Sequence, residues 1–395
     1  VQILLNLRND QLIKELKEMG VTPEAYSIFL KKADYRIIKI NNLSPAQVNI
    51  LKQTGLICGA DVAIPKEAYF GSRKRKFTVI IFANLREIEK IINRLSEQPW
   101  MERITNALSE MLKQPEIPIL KIGNNGIQFQ HTYIMGIINL SPDSFYSGSR
   151  YTTISTIKNV IEEMVQEGAD FIDIGAESTR PGAKMLSERE EIERLKSVLP
   201  VAVKTTKIPI SVDTYKADVV KYALDQGAKI INDISGLGFY RLNKKLTRII
   251  AKYQACVVIM HIQGTPKTMQ INPLYKNLMA EILKYLKERI DFALDNGIDL
   301  NRIIIDPGLG FGKRFEDNYE IIERLGELKV FQRPIMAGHS RKSFIGIPFN
   351  LPPEERLEGT LGVQALLIKN GASIVRVHDV AEAKKVAQLI DRIVR

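Results

Sequence analysis

The chain is 395 residues long, 45% hydrophobic and 26% charged, with a net charge of +11. That length can bury a sizeable core and makes two domains the expectation, and the composition is that of an ordinary globular protein. No stretch approaches the ~18 consecutive apolar residues of a membrane span. Cys58 and Cys256 stand far apart with no CxxC, which argues against disulfides or a structural zinc site and for a reducing, cytoplasmic setting.

Residues 1–10 hold too short an apolar patch, with no small-residue cleavage site after it, to read as a signal peptide. Residues 1–118 read as a small α+β domain. Ser44 followed by Pro45 marks a helix start, with Val48 and Leu51 inside the helix and Gly55 as its expected stop. Runs at 35–40 and 77–82 are rich in Ile, Val, Tyr and Phe and predict strands, while Leu85, Ile88, Ile91, Ile92 and Leu95 recur at helical spacing. The basic run at 73–76 has no interleaved aromatics; it reads as a solvated turn, and no nucleic-acid partner is expected. No catalytic constellation is visible here, so a folding, oligomerisation or partner-binding role is expected. Pro115 and Pro118 block helix and mark a linker.

From Tyr133 onward, short apolar runs alternate with amphipathic helical patterns. The runs lie at 133–139, 171–175, 209–214, 229–235, 256–261, 302–308, 334–340 and 373–379. Strand alternating with helix implies a parallel sheet, and eight such units over 128–395 predict a (β/α)8 TIM barrel, with a doubly wound open sheet as runner-up. Residues 128–132 are expected to add a short strand at the barrel floor.

The carboxyl end of each run is polar: Asn139, Asp173, Asp213, Asn232 with Asp233, His261, Asp306, then Ser340 to Ser343, and Arg376 with His378. One such residue is commonly a helix cap. Eight of them on strands that close into a ring would meet at one mouth, where barrel active sites lie. Ionised carboxylates only accept hydrogen bonds, so Asp213 and Asp306 suit an N–H-rich ring edge such as a 2-amino-4-oxo heterocycle. Asn232 suits a mixed donor–acceptor edge, and Lys342 a carbonyl oxygen. Arg376 and His378 share one strand face and suit a phosphate group, and the amide oxygen of Asn139 suits Mg²⁺. His261 and His339 read as structural. The glycine-dense 308–313 matches neither a phosphate-binding P-loop nor a dinucleotide fingerprint. The loops at 140–151 and 177–187 are long enough to act as lids.

Taken in order, MGIINLSPDSF at 135–145, DIGAESTRPG at 173–182, SVDT at 211–214, INDI at 231–234, MHIQG at 260–264, DPG at 306–308, SRKS at 340–343 and RVHD at 376–379 resemble the dihydropteroate synthase family. The resemblance implies a transferase. It would join 6-hydroxymethyl-7,8-dihydropterin diphosphate to p-aminobenzoate, release diphosphate, use Mg²⁺ and tend to form a homodimer through barrel helices. It implies that Asp213, Asn232, Asp306, Lys342 and Arg376 hold the pterin. Asn139 (through Mg²⁺), Arg376 and His378 would hold the diphosphate. Thr179, Arg180 and Ser343 would contact the aminobenzoate, with Asp143 and Phe145 closing over it. Asp213, Lys342, Arg376 and His378 are the expected catalytic set. Two departures stand out: Ala176 replaces a common glycine, and the usual acidic residue after Phe145 is missing. The alternatives weighed are a methyltetrahydrofolate:corrinoid methyltransferase of the same fold and a non-catalytic pterin-binding protein.

Overall fold

In the computed structural model the described residues are 4, 7–70, 75–112, 117–123, 125–140, 154–178 and 185–395. They divide into two compact units, Val1–Pro115 and Glu116–Arg395.

The first unit begins with two helices that the sequence did not announce, α1 (Asn9–Glu18) and α2 (Pro23–Ala33). Only Leu16 of the pair is buried, so neither carries a strong apolar stripe. Three strands follow, β1 (Tyr35–Leu43), β2 (Asp61–Ala63) and β3 (Phe77–Asn84), forming an antiparallel sheet in the order β1-β3-β2. Along β3, Phe77, Val79, Ile81 and Ala83 are buried and alternate with half-buried neighbours, the period of a sheet covered on one face. The covering helices are α3 (Pro45–Cys58), α4 (Leu85–Leu95) and α5 (Glu102–Leu112), which pack Val48, Leu51, Ile88, Ile91 and Leu108 into the same core.

Ser44 and Pro45 start α3 as expected: the Ser44 hydroxyl accepts from the Gln47 amide, and the Gln47 side chain accepts from the Ser44 amide. The expected stop is wrong. The helix runs through Gly55 and ends at Gly59, whose φ of 92° is the left-handed cap. Gly55 serves packing instead, since a Cβ there would lie 2.5 Å from Val62 Cγ2 on β2.

The second unit is a barrel. Its parallel strands are β6 (Tyr133–Asn139), β7 (Phe171–Gly175), β8 (Ile210–Asp213), β9 (Ile230–Asp233), β10 (Cys256–Met260), β11 (Ile303–Asp306), β12 (Met336–Ala337) and β13 (Ile374–Val377). They pair in the order β11-β10-β9-β8-β7-β6-β13-β12, and a parallel bridge from Ile305 to Ile335 joins the two ends of that row, closing the ring. Alternate side chains separate into two cores. Ile172, Val212, Ile231 and Val375 point outward under the helices. Met135, Phe171, Ile230, Val258, Ile304, Met336 and Ile374 fill the lower interior.

Preceding the ring is a hairpin, β4 (Ile119–Ile122) and β5 (Asn125–Gln128), whose Leu120 and Ile122 join the lower interior together with Phe129. The short strand expected at 128–132 is therefore displaced upstream, and 119–127, which the sequence leaves between its two domains, lies in the second unit. At Thr132 the backbone amide and hydroxyl both bond the Asp391 carboxylate, at 2.7 and 2.8 Å, so a side chain of the last helix takes the donor a strand would have used. The expected strand at 334–340 shortens to Met336–Ala337, because the chain turns after Gly338.

These packing differences set a test for the first unit, which contains the single tryptophan, Trp100. Gly55→Leu should destabilise that unit by about 2–3 kcal/mol through overpacking against β2. Gly59→Asn should cost only a few tenths of a kcal/mol, since Asn tolerates the left-handed cap. Urea unfolding followed by Trp100 fluorescence measures both, and equal losses would reassign the helix stop.

Candidate active site

The upper interior of the barrel is polar. Each strand that reaches it does so in the same phase, so that residues two apart, such as Asp173 and Gly175 or Arg376 and His378, face the same side. Asp173 is fully buried on β7 and pairs with Arg376 across the ring, Nε to Oδ2 at 2.6 Å. The same guanidinium reaches Asp213 Oδ2 at 2.9 Å, and Asn232 donates its side-chain N–H to Asp173 Oδ2 at 3.0 Å. The second Asp173 oxygen has no partner among the described residues.

Two inward glycines leave the space between these groups open. A Cβ on Gly338 would stand 4.0 Å from each of Arg376 Cδ, Asp306 Oδ2 and Lys342 Nζ. One on Gly175 would stand 3.5 Å from Asn139 Oδ1 and 3.6 Å from the Asp213 Cβ. Asn139, Asp213, Asp306, Lys342 and Arg376 therefore surround one mouth at the carboxyl ends of the strands. Ala176, the departure noted above, points its methyl into the outer core and leaves this space untouched.

Electrostatics in the mouth are finely balanced. Burial pushes the Asp213 carboxyl up to about 7, against the pull of Arg376 and with the help of neighbouring Asp173. Burial also raises Asp306, although its Oδ1 accepts from the Gly308 amide at 2.6 Å. It lowers the Lys342 ammonium to about 7, in spite of Asp306 nearby. Arg376 stays charged: burial works against it, but Asp173 and Asp213 outweigh that cost. His378 is neutral, lowered to about 4 by burial and then by Arg376, and its Nδ1 lies 2.9 Å from Ser340 Oγ.

Other sequence-flagged residues fall into place. Asp233 turns away from the mouth and accepts from the Ser235 amide, the Ser235 hydroxyl and the Leu237 amide. His261 is buried, with Nδ1 3.0 Å from Lys313 Nζ, and its ring meets Tyr285 edge-on at 4.7 Å. His339 is fully buried beside the Ala337 carbonyl. Both are structural, as the sequence implied. Ser343 is exposed at the start of a short helix, Ser343–Gly346. Asp143, Phe145, Thr179 and Arg180 lie outside the described residues.

Three residues gain a place that sequence reading did not give them. Asp173 was seen at its strand end, but its function is visible only with Arg376 across the ring. Phe311 lies beneath the Lys342 ammonium, 4.3 Å from ring centroid to Nζ, and Lys342 also donates to the Leu309 carbonyl. Lys313 is buried and donates to the Phe311 carbonyl at 3.0 Å, fixing that aromatic turn from below. An aromatic residue and a lysine within a glycine-dense turn were the available signals.

The sequence pattern of the family described as "Pterin binding enzyme" matches residues 135–378. The dihydropteroate synthase of Clostridium beijerinckii is 43% identical over 278 residues, covering 70% of this chain and 100% of the relative. A bifunctional dihydropteroate synthase/dihydropteroate reductase of Helicobacter pylori is 31% identical over 385 residues, covering 96% of each chain. Among solved structures, the dihydropteroate synthase of Xanthomonas albilineans with 4-aminobenzoic acid superimposes with a TM-score of 0.62 at 36% identity, covering 70% of this chain and 98% of that one. With the ring of strands, the polar mouth and these relatives in agreement, the chain belongs to the dihydropteroate synthase family of pterin-binding enzymes.

Proposed function

We propose that the mouth between Gly338 and Gly175 holds the pterin, with its diphosphate reaching toward Asn139 and His378. The activity is that of a dihydropteroate synthase, a transferase that joins 6-hydroxymethyl-7,8-dihydropterin diphosphate to p-aminobenzoate. One observation carries the residue assignment: Asp306, Lys342 and Arg376 stand equidistant around the space that Gly338 leaves free. Asp306 accepts from the pterin amino group and N3–H, Lys342 donates to O4, and Asp213 and Asn232 complete the ring edge. Arg376 lies against the ring and, with His378, holds the diphosphate. Ser343, Thr179 and Arg180 receive the aminobenzoate, with Asp143 and Phe145 over it. The methyltransferase and non-catalytic alternatives are not favoured beside synthase relatives of this identity.

In the reaction the bond between the pterin methylene and the diphosphate oxygen breaks, and the electron pair leaves with diphosphate. The aniline nitrogen forms the new C–N bond and loses a proton. Carboxylates around the ring favour the cationic methylene, while Arg376 stabilises the departing anion. Aniline is a weak base already carrying a free lone pair, so no strong general base is needed. Among the described residues no cluster of three His, Cys, Asp or Glu could cage a metal. A Mg²⁺ that arrives with diphosphate needs only one or two protein oxygens, and Asn139 Oδ1 beside the gap at Gly175 fits that requirement. When bound, Mg²⁺ would neutralise part of the diphosphate charge.

We also propose a cytoplasmic homodimer. Leu366 and Leu389 on the last two barrel helices are 51% and 60% exposed, which supports pairing through that face.

A second activity is favoured by a separate observation. The bifunctional Helicobacter pylori relative aligns across 96% of this chain, the first unit included, whereas the Clostridium beijerinckii synthase aligns with 70% of it. We propose that this chain also reduces 7,8-dihydropteroate. A hydride would add to C6 and a proton to N5, with a reduced nicotinamide or flavin as donor.

Three measurements test these readings. Mixing pterin diphosphate, p-aminobenzoate and Mg²⁺ should release diphosphate, and no release would remove the synthase assignment. The pterin kcat/KM should trace a narrow bell near neutrality, since Asp213 must lose its proton and Lys342 must keep its own. Asp213→Asn should flatten the acid limb, and Lys342→Met the alkaline limb, each with about a hundredfold loss of rate. A flat wild-type profile from about pH 6 to about 8.5 would contradict this balance. Added 7,8-dihydropteroate should drive oxidation of NADPH or reduced flavin by the full chain; oxidation of neither would dismiss the reductase.

A further inference from the structure

Two adjacent links tie the turn after β12 to the end of β13. Arg341 grips Asp379 with a fork, Nε to Oδ2 at 2.8 Å and Nη2 to Oδ1 at 2.7 Å, and Arg341 is nearly buried there. One residue earlier on each side, Ser340 Oγ lies 2.9 Å from His378 Nδ1 and 3.3 Å from the His378 backbone nitrogen. The donor assignments follow from counting protons. A backbone N–H can only donate, so Oγ accepts from it. Were Oγ also to accept from a protonated Nδ1, the proton of this buried hydroxyl would have no acceptor among the described residues, whereas a bare Nδ1 receives it and leaves every group paired. A neutral imidazole with a bare Nδ1 carries its proton on Nε2. Among the described residues that Nε2–H donates to no other group, so it is available to a ligand.

We propose that Ser340 is a positioning residue that locks His378 as the Nε2–H tautomer, so that the ring offers a neutral N–H to the departing diphosphate. This rests on the diphosphate reading of His378 given above. The opposite tautomer would turn a nitrogen lone pair toward an anion and repel it. A neutral donor holds the group without giving up a proton, so diphosphate departs with its full charge and Arg376 supplies the compensating one. The Arg341–Asp379 fork keeps the two segments in register, so the Ser340 hydroxyl is in place before any ligand arrives. A single turn thus divides its work among three consecutive residues. Ser340 sets the histidine, Arg341 anchors the backbone and Lys342 faces the mouth.

The tautomer can be read directly. Histidine-specific ¹⁵N labelling of the full chain, with NMR near neutral pH, separates protonated from bare ring nitrogens, and His378→Gln assigns the His378 signals among the four histidines. Wild type should show a bare Nδ1 and a protonated Nε2. In Ser340→Ala the two should converge as tautomers mix, and Ser340→Thr should restore the separation. Ser340→Ala should also lose roughly tenfold in affinity for inorganic diphosphate with Mg²⁺, with the KM for p-aminobenzoate little changed. A protonated Nδ1 in wild type, or unchanged shifts in Ser340→Ala, overturns the lock. The wild-type spectrum decides this even where a variant folds poorly. Shifts that change while diphosphate affinity holds would keep the lock and instead remove His378 from the diphosphate site.

Discussion

The mouth of the barrel depends on Arg376. Carboxylates buried without a counter-charge oppose folding, and the converging strand ends crowd three of them, Asp173, Asp213 and Asp306, into one small space. Arg376 holds the first two at 2.6 and 2.9 Å, while Lys342 answers the third. Removing the arginine would leave two buried acids facing each other. Under the proposed function the same carboxylates, balanced by Arg376 and Lys342, would favour a positively charged methylene. On that reading, stability and chemistry draw on one set of charges.

How much of this could be read from sequence depends on the range of the interaction involved. Strand positions and the inward phase of Asp213, Asp306 and Arg376 follow from alternation over a few residues, and the barrel follows from counting repeats. Longer-range facts were hidden. The partner of Asp173 lies 203 residues away, so the sequence showed an acid at a strand end and no reason for it. Gly55 and Gly59 look alike on paper. One is small because Val62 of the next strand presses on it and the other because its φ is 92°, and residue type alone shows neither cause. The strand expected near the barrel floor failed because Asp391, 259 residues on, takes the amide of Thr132. Arg341 and Lys342 stand side by side in the SRKS run, yet Arg341 has a left-handed φ of 54° and is committed to Asp379, leaving Lys342 for the mouth.

The two units differ in how their parts are used. In the first, one sheet face is packed by helices, while Tyr35 and Ile37 of β1 stand 58% and 67% exposed. Among the described residues of that unit, nothing comparable to the ring of strand-end charges is gathered. The relatives divide along the same line, with synthases matching the barrel and the bifunctional enzyme extending over both units.

The hairpin at Ile119–Gln128 has a practical consequence. Leu120 and Ile122 are part of the barrel's own interior, packed with Phe171, Ile230 and Ile374. Anyone excising the catalytic half, or splicing it to a different leader, has to cut upstream of Ile119. A cut at the first barrel strand would open the bottom of the cylinder to water and expose the apolar layer on which the charged upper layer rests.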